Sequence, residues 1–459
     1  MVDFSKNMFL IDVIDHFISG DWGEEAQTAE SPKAAFCIRG ADINNINAQS
    51  FDTTPLRYVA QSSFDNKHLQ AGDIIIEKSG GSPTQSTGRV CFVSQQCIDE
   101  LHDVVCSNFC AAFRVKEEWN PKYVFYYLQL VYNSGIFFNF EGKTSGLRNL
   151  QLENAFKSIP IKHINRSIQD RVVDVLDCIE NRIALSNAIN RNLEQVVKQL
   201  YDYWFVQFEF PDDEGKPYRS SGGVMVWNEK LKRMVPALWN VVPLESLGSF
   251  KNGINYSRDE LGNYDYKIVN VRNISSSSLF IDTQTLDGIC LMSETADNYL
   301  VKDNDILIAR SGTPGATRIL QEGARDVIYC GFIICFSVHR KSTKPLLTYQ
   351  LKDLERITNE QSNGSILSNI SQDVLKRIQA IMPPDYVLQE FNQKILPIWD
   401  MLDILINEKS RLITLRDELM PLLLNGQVSV GNRTLYDFKL VDTRVAAESG
   451  DDVNCDLSQ

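Results

Sequence analysis

The sequence predicts an α+β fold in which two similar globular domains alternate with two long helices that pair as an antiparallel coiled coil. Three observations predict it. Short strand-like apolar runs recur in the same order in both halves, an apolar heptad seam follows each set, and the halves lie roughly 220–233 residues apart.

The first repeated element is Ile11–Gly20, which parallels Leu244–Gly253. Next, Ile38-Arg39 with Asp42-Ile43 parallels Val271-Arg272 with Asn273-Ile274. The clearest match sets Ala71–Gly80 against Asp303–Gly312, two β-branched runs that each close on a Ser-Gly turn signal. Phe109–Val115 then parallels Phe332–Val338, both read as short apolar strands. Last, Ser145-Gly146 with Asn149-Leu150 parallels Asn363-Gly364 with Asn369-Ile370. One such match could be chance, but their common order is hard to obtain by accident.

The first helical segment places Val172, Leu176, Ile179, Ile183, Leu193, Val197, Leu200 and Trp204 on alternating three- and four-residue steps, with Ser186 and Asn190 between. Ser167 with Asp170 predicts a capping box at its start. In the second segment Phe391, Ile395, Ile398, Leu402, Leu405, Leu412, Leu419 and Leu423 take equivalent places, interrupted by Lys409 and Arg416. Gly426 is the expected C-terminal cap. Pro397 predicts a kink or a late helix start, because proline removes a helical hydrogen bond and crowds the preceding turn. A helix of about 40 residues spans about 60 Å, and neither helix can bury its seam alone, so the two pair with each other. The resulting boundaries are 1–160 and 241–383 for the domains, 161–208 and 384–428 for the helical spacers, 209–240 for a central linker and 429–459 for a tail. Val445–Gln459 is acidic, lacks core-forming runs and reads as disordered.

A formal charge of −13 argues against a protein that coats nucleic acid non-specifically, while leaving room for local basic loops. Ten cysteines without a Cys-x-x-Cys, and five scattered histidines, predict buried free thiols in a reducing cytoplasm rather than a zinc site. No apolar run approaches the ~20 residues that span a bilayer, and Met1–Leu10 lacks a signal-peptide pattern. Catalysis has no visible seat. Asn120-Pro-Lys-Tyr123 and Pro383-Pro-Asp-Tyr386 only approximate a methyltransferase motif, and no glycine-rich loop for a cofactor opens a helix. The chain reads as a non-enzyme.

Function is carried by the loops after the Ser-Gly signals. Lys78, Ser79, Gly80, Thr84, Gln85 and Arg89 lie in one, and Arg310, Ser311, Gly312, Thr313 and Arg318 in the other. Glycine lets backbone approach phosphate, Ser and Thr reach backbone oxygens, and Gln and Arg can read base edges. A second pair of loops adds Lys143, Arg148 and Asn363. A single loop of this kind is usually a solvated turn; recurrence in both halves, with a cation kept at Lys78 and Arg310, favours DNA contact. Arg39 and Arg272 read equally well as DNA contacts or as structural ion pairs. The aromatic run Tyr201, Tyr203, Trp204, Phe205, Phe208 and Phe210 is either core or a partner surface, with Tyr203, Trp204, Phe205 and Phe208 as its candidates. Periodicity alone fits a non-catalytic coiled-coil scaffold or dimerisation protein as well as a ruler holding two DNA readers. The loops favour the ruler.

Near the first helix end the chain reads Gln199-Leu-Tyr-Asp-Tyr-Trp-Phe-Val-Gln-Phe-Glu-Phe-Pro211, then Gly215–Gly223, Met225-Val-Trp-Asn228 and Leu231-Lys-Arg233. With Asp73–Gly80, Asp305–Gly312 and Leu419–Gly426, this wording resembles the specificity (S) subunits of type I restriction-modification systems over nearly the whole chain. The resemblance implies two target recognition domains, each reading half of a bipartite site in double-stranded DNA across a non-specific spacer. It also implies that the helices and central region dock two methyltransferase subunits, joined in the full complex by restriction subunits. No cofactor would bind this chain. S-adenosylmethionine would come with the methyltransferase, ATP and Mg with the restriction partner, and no membrane would be involved.

Overall fold

The computed structural model describes residues 8–80, 85–144, 147–255, 264–361 and 369–428. The expected tail at 429–459 and the turns at Ser145-Gly146 and Asn363-Gly364 lie outside the described residues. The chain divides into two compact units, residues 1–181 with 414–459 and residues 182–413. Each unit contains one repeat and one end of each long helix.

In the first unit, Ile14–Ser19, Cys110–Val115, Ile74–Glu77 and Val90–Phe92 form a four-stranded antiparallel sheet in that spatial order. A second sheet sets Lys33–Ile38 antiparallel to Leu56–Val59 and parallel to Val104–Cys106. The second unit repeats both. Gly248–Asn252, Ile333–Val338, Asp305–Ala309 and Thr317–Arg318 form the four-stranded sheet. Tyr264–Val269 lies antiparallel to Asp287–Leu291 and parallel to Val327–Tyr329. Each domain is closed by a short antiparallel pair, Met8–Phe9 with Pro160–Ile161 and Asn240–Pro243 with Gln379–Met382. The β-branched runs do not alternate because both faces are covered. Ile74–Glu77 and Asp305–Ala309 are buried at every position.

The long helices are Arg166–Tyr201 and Asp385–Leu424. Within the first unit, Val172, Val173 and Leu176 share a core with Met420, Leu423 and Leu424, and Glu180 binds Arg416 at 3.0 Å. Within the second, Val197, Tyr201, Trp204 and Phe205 share a core with Phe391, Ile395, Trp399 and Leu402, and Arg182 binds Glu408 at 2.6 Å. Rising numbers on one helix meet falling numbers on the other, so the pairing is antiparallel in each unit.

Three helix-end expectations resolve differently. The first helix starts at Arg166, so Ser167 does not cap it; Asp170 instead accepts from Arg166 at 2.8 Å and from Asn120 at 2.7 Å. The second helix starts at Asp385, well before Pro397, so the late start does not occur. Proline in a helix interior costs ~3 kcal/mol. Phe391, Ile395, Trp399 and Leu402 flank it in the core, and each contributes about 1.5–3 kcal/mol. Gly426 does cap the end, at φ 64°, its N–H donating to Leu423 O at 3.1 Å.

The first helix passes into a π turn at Asp202–Val206. The wider turn lets the sequence neighbours Trp204 and Phe205 both face the core. Phe205 packs edge-on against Phe391 at 4.7 Å, and Phe210 lies 4.9 Å from Trp239 in the central linker. The cysteines divide. Cys37, Cys97 and Cys110 are among those buried, but Cys178 and Cys290 are exposed, against the expectation of uniform burial. Burial pushes the Cys37 thiol up to about 12 and those of Cys97 and Cys110 to about 11, which keeps them protonated and unreactive.

Candidate nucleic-acid interface

At the end of each central strand the chain leaves the sheet through the same set of backbone bonds. In the first unit Lys78 N–H donates to Phe109 O at 2.8 Å, and Lys78 O accepts from Leu150 N–H at 2.7 Å. In the second, Arg310 N–H donates to Phe332 O at 2.8 Å, and Arg310 O accepts from Ile370 N–H at 2.9 Å. Three chain segments that are remote in sequence therefore meet at one cation in each repeat. The loops also close alike. Glu77 N–H donates to Arg89 O at 2.9 Å and Gly88 N–H to Glu77 O at 3.0 Å; Ala309 N–H donates to Ala316 O at 2.8 Å and Gly315 N–H to Ala309 O at 2.9 Å. Gly88 and Gly315 hold positive φ, 101° and 88°, which glycine adopts without strain.

The cations differ in what they touch. Among the described residues, the side chains of Lys78 and Arg310 make no hydrogen bond or ion pair, and both are half-buried. Arg89 is bound to Glu77 by bonds of 2.7 and 2.9 Å, and that hydrogen bonding raises its pKa further above the ordinary arginine value. Arg148 binds Glu141 at 2.7 Å, and Glu141 also accepts from Thr87 N–H at 2.7 Å, which ties the two loops of the first unit together. Arg318 is a correction. It lies on strand Thr317–Arg318, buried at 6 % exposure, with its guanidinium on Glu355 at 2.8 Å and on Ser277 O at 2.6 Å. Its strand pairs with Leu307 as Cys91 pairs with Ile75, so the residue equivalent to Arg89 is Ala316 and not Arg318.

Gly80 and Gly312 have structural reasons of their own. A Cβ on Gly80 would lie 2.8 Å from Glu77 Oε1, and one on Gly312 would lie 2.9 Å from Val271 Cγ1. Ser79 donates to Asn149 Oδ1 at 2.5 Å, Thr313 shares a hydroxyl contact with Ser275 at 3.0 Å, and Ser311 is half-buried. Gln85 is exposed. Thr84, Asn363 and the side chain of Lys143 lie outside the described residues. Arg39 and Arg272 both form ion pairs, Arg39 with Asp42 at 2.8 Å and Arg272 with Asp287.

The aromatic candidates fall on the core side of the two readings. Trp204, Phe205 and Phe208 are 3 %, 2 % and 2 % exposed, which removes them from any partner surface, and Tyr203 alone stays open at 40 %. The resemblance points to the central region for docking without naming residues, and an exposed apolar surface lies there on the linker. There Val224, Trp227, Met234 and Leu238 are 65 %, 54 %, 42 % and 71 % exposed, around the hairpin Met225–Asn228 with Arg233–Pro236. Alternating apolar residues on both sides of a short polar turn were the available signal.

Among the described residues no helix is long and apolar enough to cross a membrane, and no group of three or more His, Cys, Asp or Glu is placed to hold a metal ion. The model of the type I restriction modification DNA specificity domain matches residues 3–195 and 236–417, one copy in each half. The specificity subunit of type I restriction enzyme HindI from Haemophilus influenzae is 20 % identical over 333 residues, covering 60 % of this chain and 70 % of that one. The MjaIX specificity subunit from Methanocaldococcus jannaschii is 21 % identical over 287 residues, covering 60 % of this chain and 62 % of that one. Among solved structures, the S subunit of a type I restriction-modification system from M. genitalium aligns over 91 % of this chain and 95 % of its own. Its TM-score is 0.53 at 14 % identity, a likeness of fold.

Proposed function

The chain belongs to the type I restriction-modification DNA specificity family, and from that premise we propose that it reads a bipartite DNA target with one half-site per repeat. The observation that supports this is the matched junction. A cation whose side chain makes no hydrogen bond or ion pair among the described residues, Lys78 or Arg310, is held by the same backbone bonds to the same two neighbouring segments in both units. A cation fixed through its own backbone, with its side chain left over, suits a phosphate or a guanine edge. Arg89 and Arg148 act one step back, shaping the loops of the first unit through carboxylates, while Arg318 is held in its strand by Glu355.

The chain performs no chemistry itself and works in the cytoplasm as the targeting part of a complex. Two methyltransferase subunits bring S-adenosylmethionine, and restriction subunits bring ATP and Mg. Docking uses the exposed apolar hairpin around Trp227, the polar faces of the long helices and the open Tyr203, since Trp204, Phe205 and Phe208 are core. Helix length sets the DNA spacer between half-sites. Adding four residues beside Arg182 and four beside Glu408, which meet at 2.6 Å, lengthens both helices by about 6 Å and nearly preserves the heptad face. B-DNA rises ~3.4 Å per base pair, so the methylated motif is expected to keep both half-sites and gain one or two spacer positions. An active variant with an unchanged spacer would contradict the reading.

A further inference from the structure

We propose that Phe109 and Phe332 are matched DNA-contacting residues, each packing its ring against a thymine methyl group in its own half-site. The inference rests on the reading of the repeats as DNA recognition domains. The two phenylalanines hold equivalent positions, each immediately before the second strand of its four-stranded sheet. They are 57 % and 62 % exposed. A single exposed apolar side chain is ordinary and explains nothing. Here the same large ring is left in water twice, at the same place in the two repeats.

The backbone gives the rings their setting. Phe109 O accepts from the N–H groups of both Lys78 and Ser79, and Phe332 O accepts from that of Arg310. The backbone of each phenylalanine is therefore hydrogen-bonded to that of its junction cation, which makes the two residues neighbours at the same strand end. The occupant must be anionic enough for Lys78 or Arg310 and present an apolar feature at fixed distance. A protein surface can offer both, but the major groove of DNA offers them at every T·A pair, as phosphate beside the thymine C5-methyl. A ring whose backbone is already fixed loses little freedom when it packs there.

The test uses the full chain with its methyltransferase, and duplexes carrying the methylation motif mapped for the wild-type complex. Replacing thymidine by deoxyuridine removes only the methyl group. One such replacement in each half-site is expected to weaken wild-type binding about fourfold, the factor carried by burial of one methyl-sized group. Phe109→Ala is expected to lose about tenfold in affinity, to become insensitive to deoxyuridine in one half-site, and to keep its sensitivity in the other. Phe332→Ala should do the reverse. Phe109→Leu, still apolar, should retain most of the affinity and the sensitivity, which separates contact from misfolding. The inference is overturned if a mapped half-site contains no T·A pair or if deoxyuridine has no effect at any position. It also falls if Phe109→Ala weakens methyltransferase assembly without DNA. Specific binding with an unaltered Phe109→Ala would overturn this inference alone, whereas absence of specific binding by the wild-type complex would overturn the DNA reading with it.

Discussion

In the first unit a buried carboxylate, Glu77, lies beneath the junction loop and binds Arg89 twice, whereas the second unit places Ala309 and Ala316 at the same two positions. The loop closure is unchanged although the loop itself runs through residues 78–88 in one and 310–315 in the other. A second substitution sits at the other end of the same strand. Asp73 is held by Arg114 through two bonds of 2.8 Å, while its counterpart Asp305 accepts from Ser337 at 2.5 Å, with the buried Lys344 supplying nearby charge. Backbone hydrogen bonds fix the frame and the junction cation in both repeats. The side chains under the frame are free to differ, provided each buried charge keeps a partner. Two domains built this way can share an architecture and present different surfaces.

The largest expected effect comes from forcing one unit to imitate the other incompletely. Ala309→Glu would bury a carboxylate without an arginine, and it is expected to cost about 3 kcal/mol or more in thermal or denaturant unfolding. Arg89→Ala should cost a similar amount by orphaning Glu77, yet Glu77→Ala combined with Arg89→Ala should fall well below the sum. Additive losses in that double mutant would contradict the idea that the pair can be replaced as a unit.

An intermediate effect separates the two aspartate sites by pH. Burial holds Lys344 down to about 8, and the lysine of an unfolded chain titrates near ~10.4. Between those values the unfolded state carries a proton that the folded state lacks, so stability rises with pH across this window. Below pH ~8 the group is charged in both states and the full cost of burying the cation is present. Lys344→Met is therefore expected to raise the melting temperature at pH 7 by removing a cost on the order of 1–3 kcal/mol, and to flatten the rise above pH 8. A residual rise should persist from Lys352, which burial also holds near 8. A melting temperature at pH 7 that drops with Lys344→Met would show that its bond to Asp303 O outweighs its burial.

The smallest effect compares the two arginines that left their roles open in the sequence. Arg39 binds Asp42, which is 2 % exposed, whereas Arg272 and Asp287 are 65 % and 47 % exposed. Arg39→Ala is expected to cost about 1–3 kcal/mol and Arg272→Ala under ~1 kcal/mol, measured by denaturant midpoints. Equal costs would mean that burial does not distinguish the two pairs.

Much of the frame was legible because it depends on local pattern. Asp73–Gly80 and Asp305–Gly312 announced the central strands through β-branched runs and their Ser-Gly ends, and the heptad positions announced the helix pair. What was missed depends on length and distance. Arg318 looked like the partner of Arg89 because the two loops differ in length, and only strand pairing sets Arg89 against Ala316. Trp204 and Phe205 read equally as core or surface, since an α-helical step cannot bury both as readily as the π turn does. Phe109 and Phe332 looked like the first residues of buried strands, and their exposure follows from the turn that precedes each strand.

The central claim is that each repeat reads its own half-site through its junction cation. It is tested most directly by mapping the methylated motif in cells that carry the chain with its methyltransferase, comparing Lys78→Ala with Arg310→Ala. The account predicts that Lys78→Ala changes one half-site only and Arg310→Ala only the other. A base-edge contact would relax one position at a cost of about 1–3 kcal/mol, while a phosphate contact would leave the motif intact and lower the salt slope of binding by about one. Lys78→Ala relaxing both half-sites equally would contradict it.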